Sequence, residues 1–385
     1  MTGGFKIGRL FGIEVRVNPT WFLILFFLTA ALATGFFPSS FPGWSPNSYW
    51  TVALVASLLL FVSVLVHEFA HALVAQRQGI EVKGVTLFLL GGVASIAKDP
   101  SSPGREALMA GVGPLTSFAL GGLSLALFAY APLPEVAAAV FLYLAIANIV
   151  LAVFNLLPGY PLDGGRVLRA LLWRVSGDQR RATRGAAWTG VVFGYGFIAL
   201  GVLLVFGPSG FSGLWLAFIG WFLTQASRQT LNNAELEARL DGVTAGALAR
   251  EPARWVPPYV TVDHAADSYF AAGEDRCLPV RPQDDDRLYD GVVCVDQLDR
   301  RPPQAKDLWA VRVRDVMTDA QGVVEVAPET PAAEAARLMG AEGAPAVAVV
   351  ENGHLVGLVD RAAILRRVHL RQRRTGVRRE PRAAA

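Results

Sequence analysis

Apolar positions in the first 230 residues come in long runs rather than in the stripes of an amphipathic surface helix. Six segments approach or reach the roughly 20 residues that a bilayer requires: 20–37, 50–75, 107–130, 136–157, 187–206 and 213–226, the last being short. Between the second and third lies KGVTLFLLGGVASIAK, too short to cross and rich in residues that suit strands, so it predicts a β-hairpin at the membrane edge with its turn at Gly91-Gly92. Beyond residue 230 the pattern changes. The strand-like runs CLPVRP and APAVAVVEN alternate with Ala-rich helical stretches, and RLYDGVVCVDQL at 287–298 aligns with GHLVGLVDRAAI at 353–364, a repeat with a period near 65 residues. The expected fold is a polytopic α-helical membrane protein of about six transmembrane helices with a membrane-edge β-hairpin and a C-terminal α/β unit of paired repeats.

Composition sharpens this division. With 53% hydrophobic and 17% charged residues among 385, the chain is too apolar for an ordinary soluble protein. Residues 1–230 hold 14 basic and 8 acidic side chains, and residues 231–385 hold 21 and 24. The expected organisation is a membrane domain at 1–230, a linker at 231–242, the paired repeats at 243–370 and a basic tail at 371–385. Basic residues gather in alternate loops, Arg77 to Arg105 and Arg166 to Arg184, while FPSSFPGWSPNSY carries no charge. By the positive-inside rule both termini face the cytoplasm of a multi-pass cell-membrane protein. No cleavable signal peptide is evident before the first apolar run. Cys277 and Cys294 have no CxxC spacing, so neither a disulfide framework nor a thiolate metal site is expected, and a reducing cytoplasmic setting fits them.

The second apolar run contains VSVLVHEFAHALVAQ. Ionisable side chains are costly in a membrane helix and mark function there. His67 and His71, four residues apart, stand on one helix face and can reach one Zn²⁺, while Glu68 can take a proton from an attacking water. A buried polar pair that packs a helix interface is the plainer alternative. No other histidine precedes residue 264, so a third ligand from the membrane part must be a carboxylate. Asp163 is the candidate, in FNLLPGYPLDGGRVLRALLW, where Pro158, Gly159 and Pro161 break the helix; such breaks at membrane depth are tolerated only around a protein-enclosed cavity. It could equally be the N-cap of a helix from Gly164 to Trp173. Asn155 is a candidate to bind a substrate carbonyl or developing oxyanion, with helix-helix hydrogen bonding as its competing role and the expected one for Asn148.

HEFAH, then GGVASI, GPLTS and ANIVLAVFNLLPGYPLDGGR together resemble the site-2 protease family of intramembrane zinc metalloproteases over roughly residues 1–225. The resemblance implies that His67, His71 and Asp163 bind one zinc ion and that Glu68 is the catalytic acid/base. It implies a membrane-spanning protein substrate, cut in the bilayer to release a regulator. The hairpin could hold the unwound substrate by β-augmentation, or could simply plug the cavity from the cytoplasmic side. Having six spans and no long insert, the chain looks like the branch with a cytoplasmic CBS tail.

The repeats themselves resemble a pair of CBS motifs, DVMTDAQGVVEV at 315–326 opening the second. Such pairs often bind adenine nucleotides. The positions that usually hold ribose and phosphate are here Cys294, Gln297, Asp360 and Ala363, which departs from the family pattern in both repeats. Weak or absent ATP binding is therefore expected, with dimerisation or docking as the role of the pair. The tail RRVHLRQRRTGVRREPR could bind anionic lipid; no nucleic-acid partner is expected. A CBS-gated transporter and a catalytically silent binding protein are the functional alternatives, since broken helices and intramembrane carboxylates also mark transport sites.

Overall fold

The computed structural model describes residues 4–88, 91–96, 98–207, 210–250, 254–271, 275–281, 289–298 and 311–367. They divide into two compact units, Met1–Ala234 and Glu235–Ala385. The expected basic tail at 371–385 lies outside the described residues.

The first unit opens with a hairpin of β1 (Phe5–Leu10) and β2 (Ile13–Val17), turned by Phe11 and Gly12, both at positive φ. Then come α1 (Thr20–Ser40) and α2 (Pro46–Arg77). α2 starts where its composition says it should: Pro46 holds a helical φ at N1 and the Ser45 hydroxyl accepts from the Ser48 N–H, a cap typically worth about 1 kcal/mol. β3 (Val82–Phe88) and β4 (Gly91–Ile96) form the expected antiparallel hairpin. Its turn is not at the two glycines: Gly91 pairs with Phe88 and Gly92 with Leu87, so both belong to β4. The hairpin is also half of a larger sheet, β1-β2-β3-β4, in which β2 and β3 run parallel and β4 is an edge.

Helices α3 (Pro103–Tyr130) and α4 (Glu135–Asn155) follow, then α5 (Asp163–Ser176), α6 (Gln179–Val205) and α7 (Gly210–Leu240). Gly177 in the left-handed region ends α5, and Asp178 caps α6 by accepting from the Arg180 and Arg181 N–H groups. The Arg181 bond leads in holding the Asp178 carboxyl below the usual carboxylate range. Among the described residues five helices are long and apolar enough to cross a membrane: α1, α2, α3, α4 and α6. The sixth expected span, 213–226, is the first half of α7, a helix that runs on through the polar sequence SRQTLNNAELEARL, so the expected linker at 231–242 is helical as far as Leu240. Phe22, Phe26 and Phe27 of α1, Val192 and Leu203 of α6 and Leu115 of α3 are all more than half exposed, a surface that only lipid would cover. The chain is a membrane protein.

In the second unit β5 (Cys277–Val280), β6 (Gly291–Cys294) and β7 (Thr318–Asp319) form one three-stranded sheet. β8 (Val324–Val326), β9 (Ala346–Glu351) and β10 (His354–Asp360) form a second, with helix α8 (Ala332–Glu342) between β8 and β9. Two like sheets are what the repeat predicts. The cysteines differ from expectation: Cys277 and Cys294 stand opposite one another in the β5-β6 register and are joined as a disulfide. Their 17-residue separation hides a cross-strand pairing that only the register reveals. Cys294, Gln297, Thr318 and Asp360 line a cavity of about 490 Å³. The Gln297 side chain bonds the Cys294 N–H and the Thr318 hydroxyl, and Asp360 accepts from the Ala363 N–H.

Candidate metal centre

Three elements that are far apart in sequence converge inside the first unit. α2 supplies His67 and His71, stacked one turn apart and both buried, and α5 supplies Asp163 at its first residue. Asp163 Oδ2 lies 3.1 Å from His67 Nε2 and 3.2 Å from His71 Nε2, and the two Nε2 atoms are 3.2 Å apart. Asp163 does not act as the N-cap of α5; Leu162 holds that position with no side-chain bond.

The helix that faces them orients the rings. His71 Nδ1 donates to the Met109 carbonyl at 2.6 Å, and His67 Nδ1 bonds the Ser117 hydroxyl at 2.9 Å, both partners lying on α3. A carbonyl only accepts, so His71 Nδ1 carries hydrogen and, in the neutral ring, Nε2 turns a lone pair toward the other two donor atoms. Lone pairs and a carboxylate aimed at one another repel unless a cation lies between them. A tetrahedral zinc with bonds near 2.05 Å sets its ligand atoms about 3.3 Å apart, close to the observed spacing. Space for an ion comes from Gly113: a Cβ there would stand 2.1 Å from His71 Nε2 and 2.7 Å from His67 Nε2. The residues therefore fit zinc.

Asp163 owes its place to the glycines around it. A Cβ at Gly164 would meet the Leu156 carbonyl oxygen at 2.2 Å, and one at Gly165 would meet Gly159 and Tyr160 backbone at 2.4 Å, so Gly164-Gly165 let the start of α5 nest in the loop that leads to it. That loop is held from behind by the Ser227 hydroxyl, which donates to the Tyr160 carbonyl at 2.6 Å. Glu68, half-buried beside His67, faces β4; the Ala94 backbone is within hydrogen-bonding reach of its carboxylate. Gly92 explains itself here, since a Cβ would stand 2.5 Å from Glu68 Cγ.

Among the predicted site residues, then, His67, His71 and Asp163 come together, with Glu68 adjoining. Asn155 stands half-buried at the end of α4 and its side chain makes no hydrogen bond among the described residues. Asn148 donates to the Ser63 hydroxyl and the Leu144 carbonyl, a packing role. Sequence reading missed Met109, Gly113 and Ser117. Gly113 and Ser117 fall in GVGPLTSFALGG, a stretch of small residues read as close helix packing, and Met109 acts through its backbone, which leaves no trace in residue type.

Two imidazoles and a carboxylate around one point, with a second carboxylate beside them, form a donor set that could hold one metal ion among the membrane helices. A model of peptidase family M50 matches residues 55–138 and 133–199, and one of the CBS domain matches residues 313–370. A Synechocystis protein described as a candidate zinc metalloprotease is 34% identical over 369 residues, covering 95% of this chain and 96% of its own. Rip3 of Mycobacterium tuberculosis, described likewise, is 34% identical over 372 residues, covering 95% and 93%. The structure of a site-2 protease from Methanocaldococcus jannaschii matches 59% of this chain and 94% of its own at 26% identity and a TM-score of 0.43. The chain belongs to peptidase family M50, the site-2 protease family. It is a zinc metalloprotease with a C-terminal CBS region.

Proposed function

We propose that His67, His71 and Asp163 hold one zinc ion, that Glu68 is the acid/base, and that the chain cuts a membrane-spanning protein substrate near its cytoplasmic side. The observation that carries this reading is the convergence of one ligand atom from each of His67, His71 and Asp163, all within 4.8 Å of one another, beside Glu68. Zinc bound there supplies Lewis-acid polarisation of the scissile carbonyl and acidifies an attacking water. Glu68 takes the proton from that water and delivers it to the leaving amine. Asp163, as the one anionic ligand, offsets part of the cation's charge, and the Met109 and Ser117 bonds keep both imidazoles turned toward it.

A substrate helix must unwind before cleavage, because its carbonyls are engaged and shielded. β4 offers a place for the extended segment: it is an edge strand, and Val93, between Gly92 and Ala94 opposite Glu68, is about half exposed at 49%. Backbone pairing along that edge would lay a peptide bond near Glu68 and zinc, with Asn155 as a further donor to the substrate carbonyl. Orientation rests on the positive-inside rule and on the apolar first half of α7 crossing as a sixth span: the basic loops and both termini then lie in the cytoplasm of a cell-membrane protein, and cleavage releases a membrane-bound regulator. The CBS pair serves as a dimerisation or docking module rather than an adenine-nucleotide sensor, because Gln297 and Asp360 already spend hydrogen-bonding capacity on their own backbone.

Cut-site mapping tests the reading. Reconstituted in liposomes with a single-span substrate, the protein is expected to cut within the span, on its cytoplasmic half. Cuts confined to the soluble loops, or to the opposite half, would contradict it.

A further inference from the structure

A second buried charged cluster lies beside the metal centre and takes no part in the chemistry above. Glu106, in the first turn of α3, is fully buried, and Arg169, in the middle of α5, is 5% exposed. Arg169 Nε donates to Glu106 Oε1 at 2.5 Å, Nη2 pairs with the same oxygen, and Nη1 donates to Asp99 Oδ2 at 2.9 Å. Arg166 Nε lies 3.9 Å from Glu106 Oε1. The Arg169 guanidinium also lies 5.8 Å from the Tyr160 ring, in the loop that delivers Asp163. Counted by sequence, Arg169 belongs to a basic cytoplasmic loop. In the structure it is sealed between two helices.

A buried ion pair is a poor source of stability, because the cost of taking two charges from water offsets their attraction; its best-attested use is to specify register. The elements joined here, α3 and α5, are two of the three that must agree for the metal site to exist, the third being α2 with both histidines. α3 carries Met109, Gly113 and Ser117, which orient both imidazoles and leave room for the ion, and α5 carries Asp163. An axial slip of α5 along α3 would carry Asp163 Oδ2 away from the two Nε2 atoms. The glycines around Asp163 do not fix that slide: Gly164 and Gly165 pack on the Leu156 to Tyr160 loop and Gly159 on Gly190 of α6, none of them on α3. The planar guanidinium fork, bonded to Glu106 and Asp99 in two directions, does set it.

We propose that Glu106 and Arg169 are positioning residues that lock α5 to α3 and so hold Asp163 at ligand distance from His67 and His71. This rests on the reading of those three residues as the zinc site. The test uses the full chain in detergent, with zinc retention measured by chelator competition and turnover split into kcat and KM. Glu106→Gln and Arg169→Met are each expected to weaken zinc retention ten- to a hundredfold, the range typical for loss of outer-shell support, and to lower kcat with KM little changed. Should Arg169→Met fail to purify, Arg169→Lys carries the same test, since it keeps the charge but not the fork, and wild-type zinc retention in it would overturn the proposal. So would wild-type retention in both single variants. A wild-type chain that itself holds no zinc would overturn the reading of the site as well, which separates the two failures.

Discussion

Replacing Glu68 by glutamine is expected to lower turnover of a membrane-spanning substrate by about 10² to 10⁴-fold, the usual worth of a positioned acid/base, while zinc content stays at the wild-type level. The amide has the volume of the carboxylate, so the close approach of Gly92 to Glu68 Cγ is preserved. It cannot accept a proton from water. His67, His71 and Asp163 are untouched, and the Met109 and Ser117 bonds that orient the rings do not involve Glu68. Turnover near the wild-type rate would remove Glu68 from the mechanism. Loss of zinc alongside activity would instead make it a structural neighbour of the site.

Gly113→Ala is expected to abolish zinc binding and cleavage together. The added methyl would stand 2.1 Å from His71 Nε2 and 2.7 Å from His67 Nε2, in the space where an ion shared by the two atoms must sit. Neither ring can retreat cheaply, because His71 Nδ1 is tied to the Met109 carbonyl and His67 Nδ1 to the Ser117 hydroxyl. Alanine is otherwise the better helix former by about 1 kcal/mol, so α3 itself does not suffer. Gly111→Ala is the control, two residues away on the same helix, where a Cβ would meet nothing within 4 Å. It should keep zinc and activity. Metal analysis of both variants, purified in parallel, reads the difference; wild-type zinc in Gly113→Ala would contradict the placement of the ion.

Much of the site is written locally. Two histidines and a glutamate at helical spacing announce themselves within five residues, and the apolar runs around them announce the membrane. Asp163 was open between ligand and helix cap from its own surroundings, since a carboxylate before two glycines suits either; it takes a contact across 96 residues to bring it to His67. The supporting residues were illegible for the same reason. Nothing in GVGPLTSFALGG says that Gly113 faces two imidazoles rather than another helix. The Gly91-Gly92 pair misleads in a related way, because glycine serves a tight turn and a close approach equally well, and here Gly92 serves the approach to Glu68. The N-terminal hairpin escaped because it gains its partner only from β3, 70 residues on by the Glu14 to Gly84 register, a parallel pairing that no local pattern encodes. Cys277 and Cys294 escaped because register, not spacing, sets them face to face. A sixth span at 213–226 is where composition and length disagreed, and the structure resolves it into the first half of a longer, half-polar helix.

The central claim, a zinc ion held by His67, His71 and Asp163 within a membrane protease, is tested most directly by metal analysis of the purified chain and its ligand variants. About one zinc per chain is expected in the wild type, with loss in His67→Ala and in Asp163→Ala. No zinc in the wild type, or full zinc in either variant, would contradict the account, and the first result would move the chain's broken helix and intramembrane carboxylate toward a transport site.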